Sequence, residues 1–472
     1  MQSHTSILNP DRYFDADPGI RGIARELYAG VRNLPIISPH GHTDPKWFAE
    51  NKPFSDPANL LITPDHYVFR MLYSQGVDLE DLGIARLDGK PVEQDPRKIW
   101  SLFAKHYYLF AGTPVGAWFD HIFHEVFGLQ ERFGPDTSMD VYDVLEKALQ
   151  TPEFLPRNIL DRYHIEVIST TDDAIHNLAH HQVIQDSDWQ GRVIPTFRPD
   201  SVTDIMHPDW NWNIREMGNL VGREISSFTA YIQALEERRS FFKEMGATST
   251  DHGVHRPYTG SLSALEAEQI FQRSLSGHSR PHDAMRFTGH MLMEMARMST
   301  QDGLVMQIHP GSWRNHNISL LEQFGRDKGA DIPTRTEYTH NLHALLNAYG
   351  NDPHLKLIIF TLDESSYSRE LAPLAGHYPA LKLGPAWWFN DSIEGMTRYR
   401  RMTTETASIY NTVGFNDDTR ALLSIPARHD LSRRVDSNYL ASLVATHRID
   451  LDTAHQMSRS LAYDLAKTGY NL

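Results

Sequence analysis

Two histidines separated by one residue, His40 and His42, are the first side chains whose spacing suggests chemistry. Residues two apart on an extended strand point to the same face, so both imidazoles can bind one metal ion. The spacing alone is weak, because 26 histidines in 472 residues produce about one such pair by chance. The pair also ends an apolar segment, which favours a site for zinc or another divalent ion that accepts nitrogen and oxygen ligands.

A catalytic metal site of this kind needs a third ligand and an open position for water or substrate. Asp418 is the natural candidate, since it ends the last apolar segment of the chain. Asp417 competes with it, because adjacent residues on a strand face opposite sides. Either aspartate could instead cap a helix predicted over residues 419–424. Arg420, two positions after Asp418, would place a guanidinium beside the metal.

Further polar and aromatic side chains lie at the ends of other apolar segments, namely Arg198, Asp251, His309, Arg314, Trp387 and Trp388. A strand-end arginine is costly to bury without an anion, so Arg198 indicates either a bound anion or an ion pair with Asp200 or Asp173. His309 precedes a Pro-Gly turn and is either a pocket residue or a satisfied core histidine. Asp251 could supply acid or base chemistry, and the tryptophan pair could pack in the core or stack on a sugar ring.

A second group of ionisable side chains, Asp65, His66, Tyr67 and Arg70, lies within about one and a half helical turns. These residues could contact a substrate, or they could form the start of a solvated helix that Asp65 caps.

These candidate residues limit the possible reactions but do not identify one. Arginines suit the recognition of a carboxylate, and Arg198, Arg314 and Arg420 predict a locally cationic pocket. A metal ion beside an aspartate or a tyrosine suits either water activation or proton transfer next to a carbonyl. Spacing alone does not separate hydrolysis from isomerisation.

The elements that must position these side chains are eight apolar segments, at residues 34–42, 165–173, 192–200, 247–254, 304–311, 356–364, 381–389 and 411–418. Continuous rather than alternating apolar runs indicate strands that are buried on both faces, and therefore parallel strands. The fourth and eighth segments are weak on strand propensity. Helical spacing of apolar residues between segments, as in 228–245 and 284–298, predicts an α/β fold, a (β/α)8 TIM barrel. In that barrel the first and eighth strands are neighbours, so His40, His42 and Asp418 can converge.

One connection in this pattern is too long for a simple barrel. About 120 residues separate the first two segments where about thirty are usual, and they have helical, aromatic-rich patterning. We expect residues 1–42 and 165–472 to form the barrel, and residues 43–164 to form an inserted helical subdomain over its mouth. A wholly separate domain is disfavoured, because both ends of the insertion return to the barrel.

The composition excludes several classes of protein. The chain contains no cysteine, so a disulfide framework and a thiolate metal site are excluded. A formal net charge of −15 argues against a nucleic-acid partner. The apolar runs are far short of the roughly 20 residues that a membrane-spanning helix needs, and the polar N-terminus is unlike a secretory signal. We expect a cytoplasmic homo-oligomer with a small-molecule substrate and no membrane partner.

Seven segments of the sequence together resemble the uronate (glucuronate) isomerase family of the amidohydrolase superfamily. They are PIISPHGHTDP, DHYVFRML, VISTTDDAIHNLAHH, IPTFRPD, IHPGSWRNHN, AWWFNDSIEGM and VGFNDDTRALLS. The TTDD, RPD, WWFND and D-x-R elements make the match specific, whereas the H-x-H pair does not. The match covers the chain from about residue 10 to its end.

The resemblance implies a distorted (β/α)8 barrel with an insertion near the first strand and an aldose–ketose isomerase reaction. The substrates would be D-glucuronate and D-fructuronate, and D-galacturonate and D-tagaturonate, with proton transfer between C2 and C1 through an enediol. His40, His42 and Asp418 would hold one divalent metal per subunit, which the resemblance implies is zinc. Asp418 or Tyr67 would transfer the proton, and His66 would meet the substrate beside Tyr67. The substrate contacts would be Arg198, Arg420, Arg314, His309, Asp251, Trp387 and Trp388.

Two other functions remain open from the sequence. A mononuclear metal-dependent hydrolase, such as a sugar-acid lactonase, would use the same residues. No lysine ends the fourth segment and no histidine ends the sixth, which disfavours a binuclear amidohydrolase. A sugar-acid binding protein without catalysis explains poorly why so many ionisable groups lie at strand ends.

Overall fold

The apolar segments form short strands in the computed structural model, which describes residues 7–472. Within that range there are eleven strands: β1 Ile36–Ser38, β2 Ile165–Ser169, β3 Asp172–Asp173, β4 Arg192–Ile194, β5 Phe197–Arg198, β6 Ser249–Val254, β7 Val305–Pro310, β8 Ser312–Trp313, β9 Ile332–Pro333, β10 Leu357–Ile359 and β11 Leu381–Leu383. All of them pair in parallel except β8 with β9, which form a small, separate antiparallel pair.

The parallel strands form two groups, in the orders β1-β2-β4 and β11-β10-β7-β6-β5-β3. The groups join because β3 continues the segment of β2 and β5 continues that of β4. Between these two segments the Thr196 amide donates a hydrogen bond to the Thr170 carbonyl at 2.9 Å. The strands form a closed ring, because the first and eighth segments are joined by two hydrogen bonds. The Asp418 amide donates to the His40 carbonyl at 3.2 Å, and the His42 amide donates to the Thr419 carbonyl at 2.9 Å. The predicted α/β architecture is confirmed, and the ring closes as a (β/α)8 barrel requires.

The two segments with weak strand propensity behave differently. The fourth becomes the six-residue strand β6, because neighbours on both sides supply hydrogen-bond partners. The eighth makes one isolated bridge, between Thr412 and Leu383. Gly414, with φ of +73°, interrupts extended backbone in that segment.

Helices surround the ring and form the insertion. In the described part of the chain they are α1 Pro18–Val31, α2 Pro45–Glu50, α3 Pro57–Leu61, α4 His66–Tyr73, α5 Pro96–Lys105, α6 Pro114–His121, α7 Ser138–Leu149, α8 Pro156–Arg162, α9 Ala179–Gln185, α10 Asp200–Thr203, α11 Trp210–Leu220, α12 Phe228–Glu244, α13 Ala264–Leu275, α14 Pro281–Asp302, α15 Ile318–Phe324, α16 His343–Tyr349, α17 Ala372–Ala375, α18 Ile393–Ala407, α19 Ser424–Ala445, α20 Leu451–Arg459 and α21 Leu465–Gly469. Across residues 7–472, no helix combines the length and apolar character needed to cross a bilayer.

Asp-Pro dipeptides start four of these helices, α1, α2, α3 and α5. In each case the aspartate side chain accepts a backbone N–H of the first turn. Proline at the next position has a fixed φ that suits a helix, and its missing N–H would have had no partner there. The sequence therefore determines where these helices begin.

Seven helices, α2 to α8, fill the connection between β1 and β2. Their core is aromatic, with Phe103 packed among the rings of Trp100, Phe119 and Phe133. These rings belong to the same continuous apolar core as Ile308 in the centre of the barrel. The helices between β1 and β2 thus share one apolar core with the barrel.

Substitution of Phe103 by alanine should lower the free energy of unfolding by about 3–5 kcal/mol. The ring is fully buried and lies 5.1 Å from Phe119 and 5.5 Å from Phe133, centroid to centroid, so little can move into the space it leaves. Urea unfolding followed by circular dichroism measures the change. Tyr108→Ala is the matched control, because that ring is 64% exposed and its loss should cost under about 0.5 kcal/mol. Equal losses in the two variants would contradict this core assignment.

Candidate active site

A cavity of about 940 Å³ lies at the carboxyl ends of the barrel strands, beneath α4 of the insertion. It is lined by all twelve side chains for which the sequence predicts a role: His40, His42, His66, Tyr67, Arg198, Asp251, His309, Arg314, Trp387, Trp388, Asp418 and Arg420. The carboxyl ends of the strands are where barrels of this class carry their chemistry. The structure therefore brings these twelve side chains into one place, together with Asp65 but without Arg70, which does not line the cavity.

His40, His42 and Asp418 form a group with the geometry of a metal site. Nε2 of His42 lies 3.2 Å from Oδ1 of Asp418, and Nε2 of His40 lies 3.8 Å from the same oxygen. One potential ligand atom from each residue lies within 4.8 Å of the other two. Among the described residues, Nδ1 of His40 and Oδ1 of Asp418 are buried with no hydrogen-bond partner. This group could hold a metal ion.

Burial and neighbouring charges set the protonation of these ligands. Burial lowers the pKa of His42, and Asp418 only partly opposes this effect, so the imidazole is neutral and keeps a lone pair. Burial opposes ionisation of Asp418, but contact with His42 and the nearby His40 outweigh it and hold the pKa of Asp418 well below its usual range. Neutral imidazoles and an ionised carboxylate are the forms that bind a divalent ion.

The backbone distinguishes Asp418 from its neighbour. Asp418 has φ of +41°, a left-handed conformation that breaks strand alternation and turns its side chain toward the histidine pair. Asp417 points into the barrel wall instead, where Oδ2 lies 3.0 Å from Nε2 of the buried His429. Neither aspartate caps a helix over residues 419–424, because α19 begins only at Ser424.

The adjacent tryptophans have different environments. Nε1–H of Trp387 donates to Oδ2 of Asp418 at 2.8 Å, which fixes the orientation of that carboxylate. Trp388 adopts φ of +53°, so its ring turns to meet His66 edge-on at 5.6 Å, with the Arg314 guanidinium 5.0 Å above its face. Nε1 of Trp388 is buried without a partner among the described residues. The pair therefore both packs in the core and lines the cavity.

A chain of charged groups runs from the fifth strand segment to the third. Nδ1 of His309 lies 2.6 Å from Oδ1 of Asp251, and Oδ2 of Asp251 lies 3.3 Å from Nη1 of Arg198. Nε–H of Arg198 donates to Asp200 at 2.8 Å, so Asp200 rather than Asp173 is the structural ion-pair partner. Burial lowers the pKa of His309 to about 4, which leaves a neutral ring that donates to Asp251.

His309 also stacks on His40, one of the three residues that could hold a metal ion. The rings of His40 and His309 lie 4.7 Å apart, with an interplanar angle of 20°. Potential ligand atoms of His40, Asp251 and His309 lie within 4.8 Å of one another, and Nε2 of His309 has no partner in the described part of the protein. The family resemblance implies only substrate contacts for His309 and Asp251, whereas the geometry also brings them within reach of a cation.

The expectation of a locally cationic pocket is wrong. Eight aspartates line the cavity against five arginines; the aspartates are Asp65, Asp173, Asp200, Asp204, Asp251, Asp327, Asp331 and Asp418. Arg198 and Arg314 each have a carboxylate partner, the latter Asp331 at 3.0 Å. Within residues 7–472, Arg420 has no carboxylate within 4.0 Å, and its Nε is buried without a partner. Arg256 and Arg326 also line the cavity without a carboxylate partner in the described residues but are exposed, so Arg420 is the less exposed arginine available to an anionic ligand.

The insertion supplies a histidine and a tyrosine from the first turn of α4. Asp65 caps this helix by accepting the Tyr67 amide at 2.8 Å, as one of the two interpretations of the sequence predicts. Burial, with Arg420 nearby, lowers the pKa of His66 to about 3, and burial raises the pKa of Tyr67 well above its usual range. His66 is thus a neutral imidazole and Tyr67 a neutral phenol, a hydrogen-bond donor.

The cavity also contains residues that the sequence reasoning missed, of which Asp327 is the most notable. It lies with φ of +60° in the loop after α15, between Gly325 and Gly329. Burial opposes its ionisation, but Arg420 and other arginines hold its pKa below the usual value. It follows no barrel strand, so the search along strand ends could not find it. The glycine pair around it is the one local signal of a tight loop.

Comparisons with known proteins give consistent matches along almost the whole chain. The family model described as glucuronate isomerase matches residues 20–470. A uronate isomerase of Xanthomonas euvesicatoria pv. vesicatoria is 56% identical over 472 residues, covering 100% of both chains. The crystal structure of glucuronate isomerase from Caulobacter crescentus superposes with a TM-score of 0.97 at 53% identity, over 98% of this chain and 97% of that one. The uronate isomerase structure from Thermotoga maritima gives 0.91 at 27% identity, over 98% and 99%.

Proposed function

This chain belongs to the glucuronate isomerase family, and on that premise we infer that it is a uronate isomerase that interconverts D-glucuronate and D-fructuronate. We extend the proposal to D-galacturonate and D-tagaturonate. The observation that carries it is the convergence of His40, His42 and Asp418 with Arg420 in one cavity at the strand ends. Membership of this family disfavours the hydrolase alternative.

We propose that His40, His42 and Asp418 hold one divalent ion, zinc. Oδ1 of Asp418 and Nδ1 of His40 are buried and have no hydrogen-bond partner among the described residues. In a chain without cysteine, imidazole and carboxylate ligands suit zinc. When bound, the ion would supply positive charge that stabilises an oxygen anion of the substrate. The geometry of the three ligands supports this assignment.

The proposed roles of the other residues follow from their charge states. Arg420, which has no carboxylate partner, would bind the substrate carboxylate. Arg198 and Arg314, already paired, would present their remaining N–H groups to hydroxyls together with His309, Asp251 and the two tryptophans. Neutral His66 and Tyr67 would donate hydrogen bonds to the sugar oxygens, as expected from their pKa shifts.

The proton transfer is proposed to involve Asp418 and Tyr67. The ionised carboxylate of Asp418 would remove the proton from C2 of the open-chain aldose, and the C2–H electron pair would form the C1–C2 double bond of an enediolate. The carboxyl group would then deliver a proton, which can exchange with solvent, to C1 while the hydroxyl proton on O2 moves to O1, giving the ketose. Tyr67 would donate a hydrogen bond to the developing oxygen charge.

The test is to incubate the purified protein with D-glucuronate or D-galacturonate in D2O and to follow the product by NMR. Ketose formation supports the function, and deuterium at C1 of the ketose supports the proton-transfer mechanism. If neither uronate is isomerised, the function is wrong. Isomerisation without any deuterium uptake would instead indicate hydride transfer, and would reject only the mechanism.

Trp387→Phe should weaken metal binding by about 10–100-fold. The substitution removes the indole N–H that donates to Oδ2 of Asp418 and keeps most of the ring. Competition with a chromogenic chelator measures the affinity. Trp388→Phe is the matched control, because its Nε1 has no partner among the described residues, and it should leave the affinity within about 3-fold of wild type. Equal effects in the two variants would argue against an orienting role for Trp387.

Three further assignments are proposals of the same kind. Residues 43–164 would form an inserted helical subdomain, and residues 1–42 with 165–472 the barrel. The protein would act as a homo-oligomer in the cytoplasm, as expected for a metabolic enzyme of this family. Analytical ultracentrifugation measures the assembly state directly.

A further inference from the structure

We propose that Arg428 is a positioning residue that holds the insertion's Tyr67 in register with the ends of the seventh and eighth strand segments. The proposal rests on the proposed isomerase function, because it assigns Arg428 to the geometry of that reaction. Arg428 lies in the first turns of α19, is 1% exposed, and does not line the cavity. Its side chain contacts four separate segments of the chain.

On the insertion side, the guanidinium packs against two aromatic rings. Its central carbon lies 3.6 Å from the centroid of the Trp118 ring in α6 and 5.0 Å from that of Tyr67 in α4. The Tyr67 and Trp118 rings meet edge to face at 5.5 Å. Arg428 therefore contacts both rings of an aromatic pair, one of which faces the substrate cavity.

On the barrel side, Nη1–H of Arg428 donates to two oxygens. One is the backbone carbonyl of Asp417 at 2.7 Å, and the other is Oδ2 of Asp391 at 3.0 Å. Asp417 directly precedes Asp418. The Asp391 amide donates to the Trp388 carbonyl at 3.0 Å, which ties this carboxylate to the end of the seventh segment. One side chain thus links the ring of Tyr67, the backbone next to the proposed base Asp418 and the end of the segment that carries the tryptophan pair.

Stability alone is a poor reason to bury this arginine. Removing a guanidinium from water is unfavourable, and a buried ion pair is often no more stable than apolar residues of similar volume. Nε of Arg428 and Oδ1 of Asp391 are both buried without a partner in the described residues, so the network is not fully satisfied. What the planar guanidinium provides is direction: its face stacks on an aromatic ring while its edge bonds two oxygens, which a lysine cannot reproduce.

The functional consequence concerns the distance between insertion and barrel. Tyr67 comes from α4 and Asp418 from the eighth segment, so their relative position depends on contacts between the two parts of the protein. A displacement of about 1 Å in such a pair can reduce turnover by about 100-fold. Loss of Arg428 should therefore lower kcat more than it raises KM, since Arg420 and the metal ligands remain in place.

The experiment compares Arg428→Met and Arg428→Lys with Arg400→Met. Arg400 is a matched control, because it is also a buried arginine with a carboxylate partner, Asp436 at 2.6 Å, and a neighbouring aromatic ring, Tyr399. It does not line the cavity. For each protein we would measure kcat, KM, bound metal and thermal unfolding, with wild type in the same assay.

The expected result is a fall in kcat of about 100-fold in both Arg428 variants, with KM changed by less than about 3-fold and metal content unchanged. Arg400→Met should lower the melting temperature without a comparable fall in kcat. A kcat within about 3-fold of wild type in folded Arg428→Met overturns the proposal, as does an equal fall in kcat in Arg400→Met.

A second substitution covers the case in which Arg428→Met does not fold. Trp118→Leu removes the ring on which the guanidinium stacks and should produce the same selective loss of kcat; normal kcat in folded Trp118→Leu would also overturn the proposal. The activity of the wild-type protein separates the proposed isomerase function from the proposed role of Arg428. An inactive wild type rejects the isomerase function, whereas an active wild type with active Arg428 variants rejects only the role of Arg428.

Discussion

Asp418→Asn is expected to abolish isomerisation, with a fall in kcat of about 1,000-fold or more, in a protein that remains folded. The amide keeps the shape of the side chain but removes the negative charge that faces His40 and His42 at 3.8 and 3.2 Å. It would therefore impair the proposed metal site and the proposed base together. Turnover of D-glucuronate, metal analysis and thermal unfolding measure the three effects separately.

Asp417→Asn is the matched control for this prediction, since it makes the same chemical change one residue earlier. Asp417 lies 3.0 Å from Nε2 of buried His429, so its substitution should cost about 1–3 kcal/mol of stability and leave metal content intact. Full activity and normal metal content in Asp418→Asn would remove this residue from the site. A loss of metal only in Asp417→Asn would exchange the two assignments.

Arg420→Met should raise KM for hexuronates by about 10–100-fold, which corresponds to the roughly 1.5–3 kcal/mol of a hydrogen bond to a charged group. Among the cavity arginines at strand ends, Arg420 has no carboxylate partner within the described chain, whereas Arg314 is paired with Asp331 at 3.0 Å. The positive charge of Arg420 is therefore not already neutralised by a contact. Steady-state kinetics with D-glucuronate and D-galacturonate measure the change.

Arg314→Met serves as the comparison, because it removes the same side chain from a paired position in the same cavity. Its effect on KM should be smaller than that of Arg420→Met. A larger effect in Arg314→Met would show that the salt bridge to Asp331 opens to receive the substrate. In that case the assignment of the carboxylate site to Arg420 would be incorrect.

The position of most site residues could be predicted because of a general property of parallel barrels. Their strand ends meet at one edge, so a polar residue that ends an apolar run is directed to that edge whatever its partners are. His40, His42, Arg198 and His309 were found in this way, and all of them line the cavity. The eighth segment has almost no regular strand pairing, and its strand propensity is weak. It could still be predicted, because the polar residues at its end mark it as the end of a barrel segment.

Features that depend on a single backbone angle or on distant partners could not be predicted. The left-handed φ of Asp418 decides which of two adjacent aspartates faces the histidines. The alternation of side chains along a strand does not predict this angle. The pairing of Arg314 with Asp331 depends on a loop seventeen residues later in the chain. Arg428 is in α19 rather than at the end of an apolar segment of the sequence, and no spacing rule identifies it.

Closure of the ring has a consequence for how the protein is made. The hydrogen bonds that close it join residues 40 and 42 to residues 418 and 419, so neither the ring nor the proposed metal site can be complete until almost the whole polypeptide has been synthesised. A nascent chain would carry His40 and His42 on an unprotected strand edge, and exposed edges invite pairing with other chains. We therefore expect the yield of soluble enzyme to depend on chaperone supply and growth temperature more strongly than the stability of the finished protein would suggest.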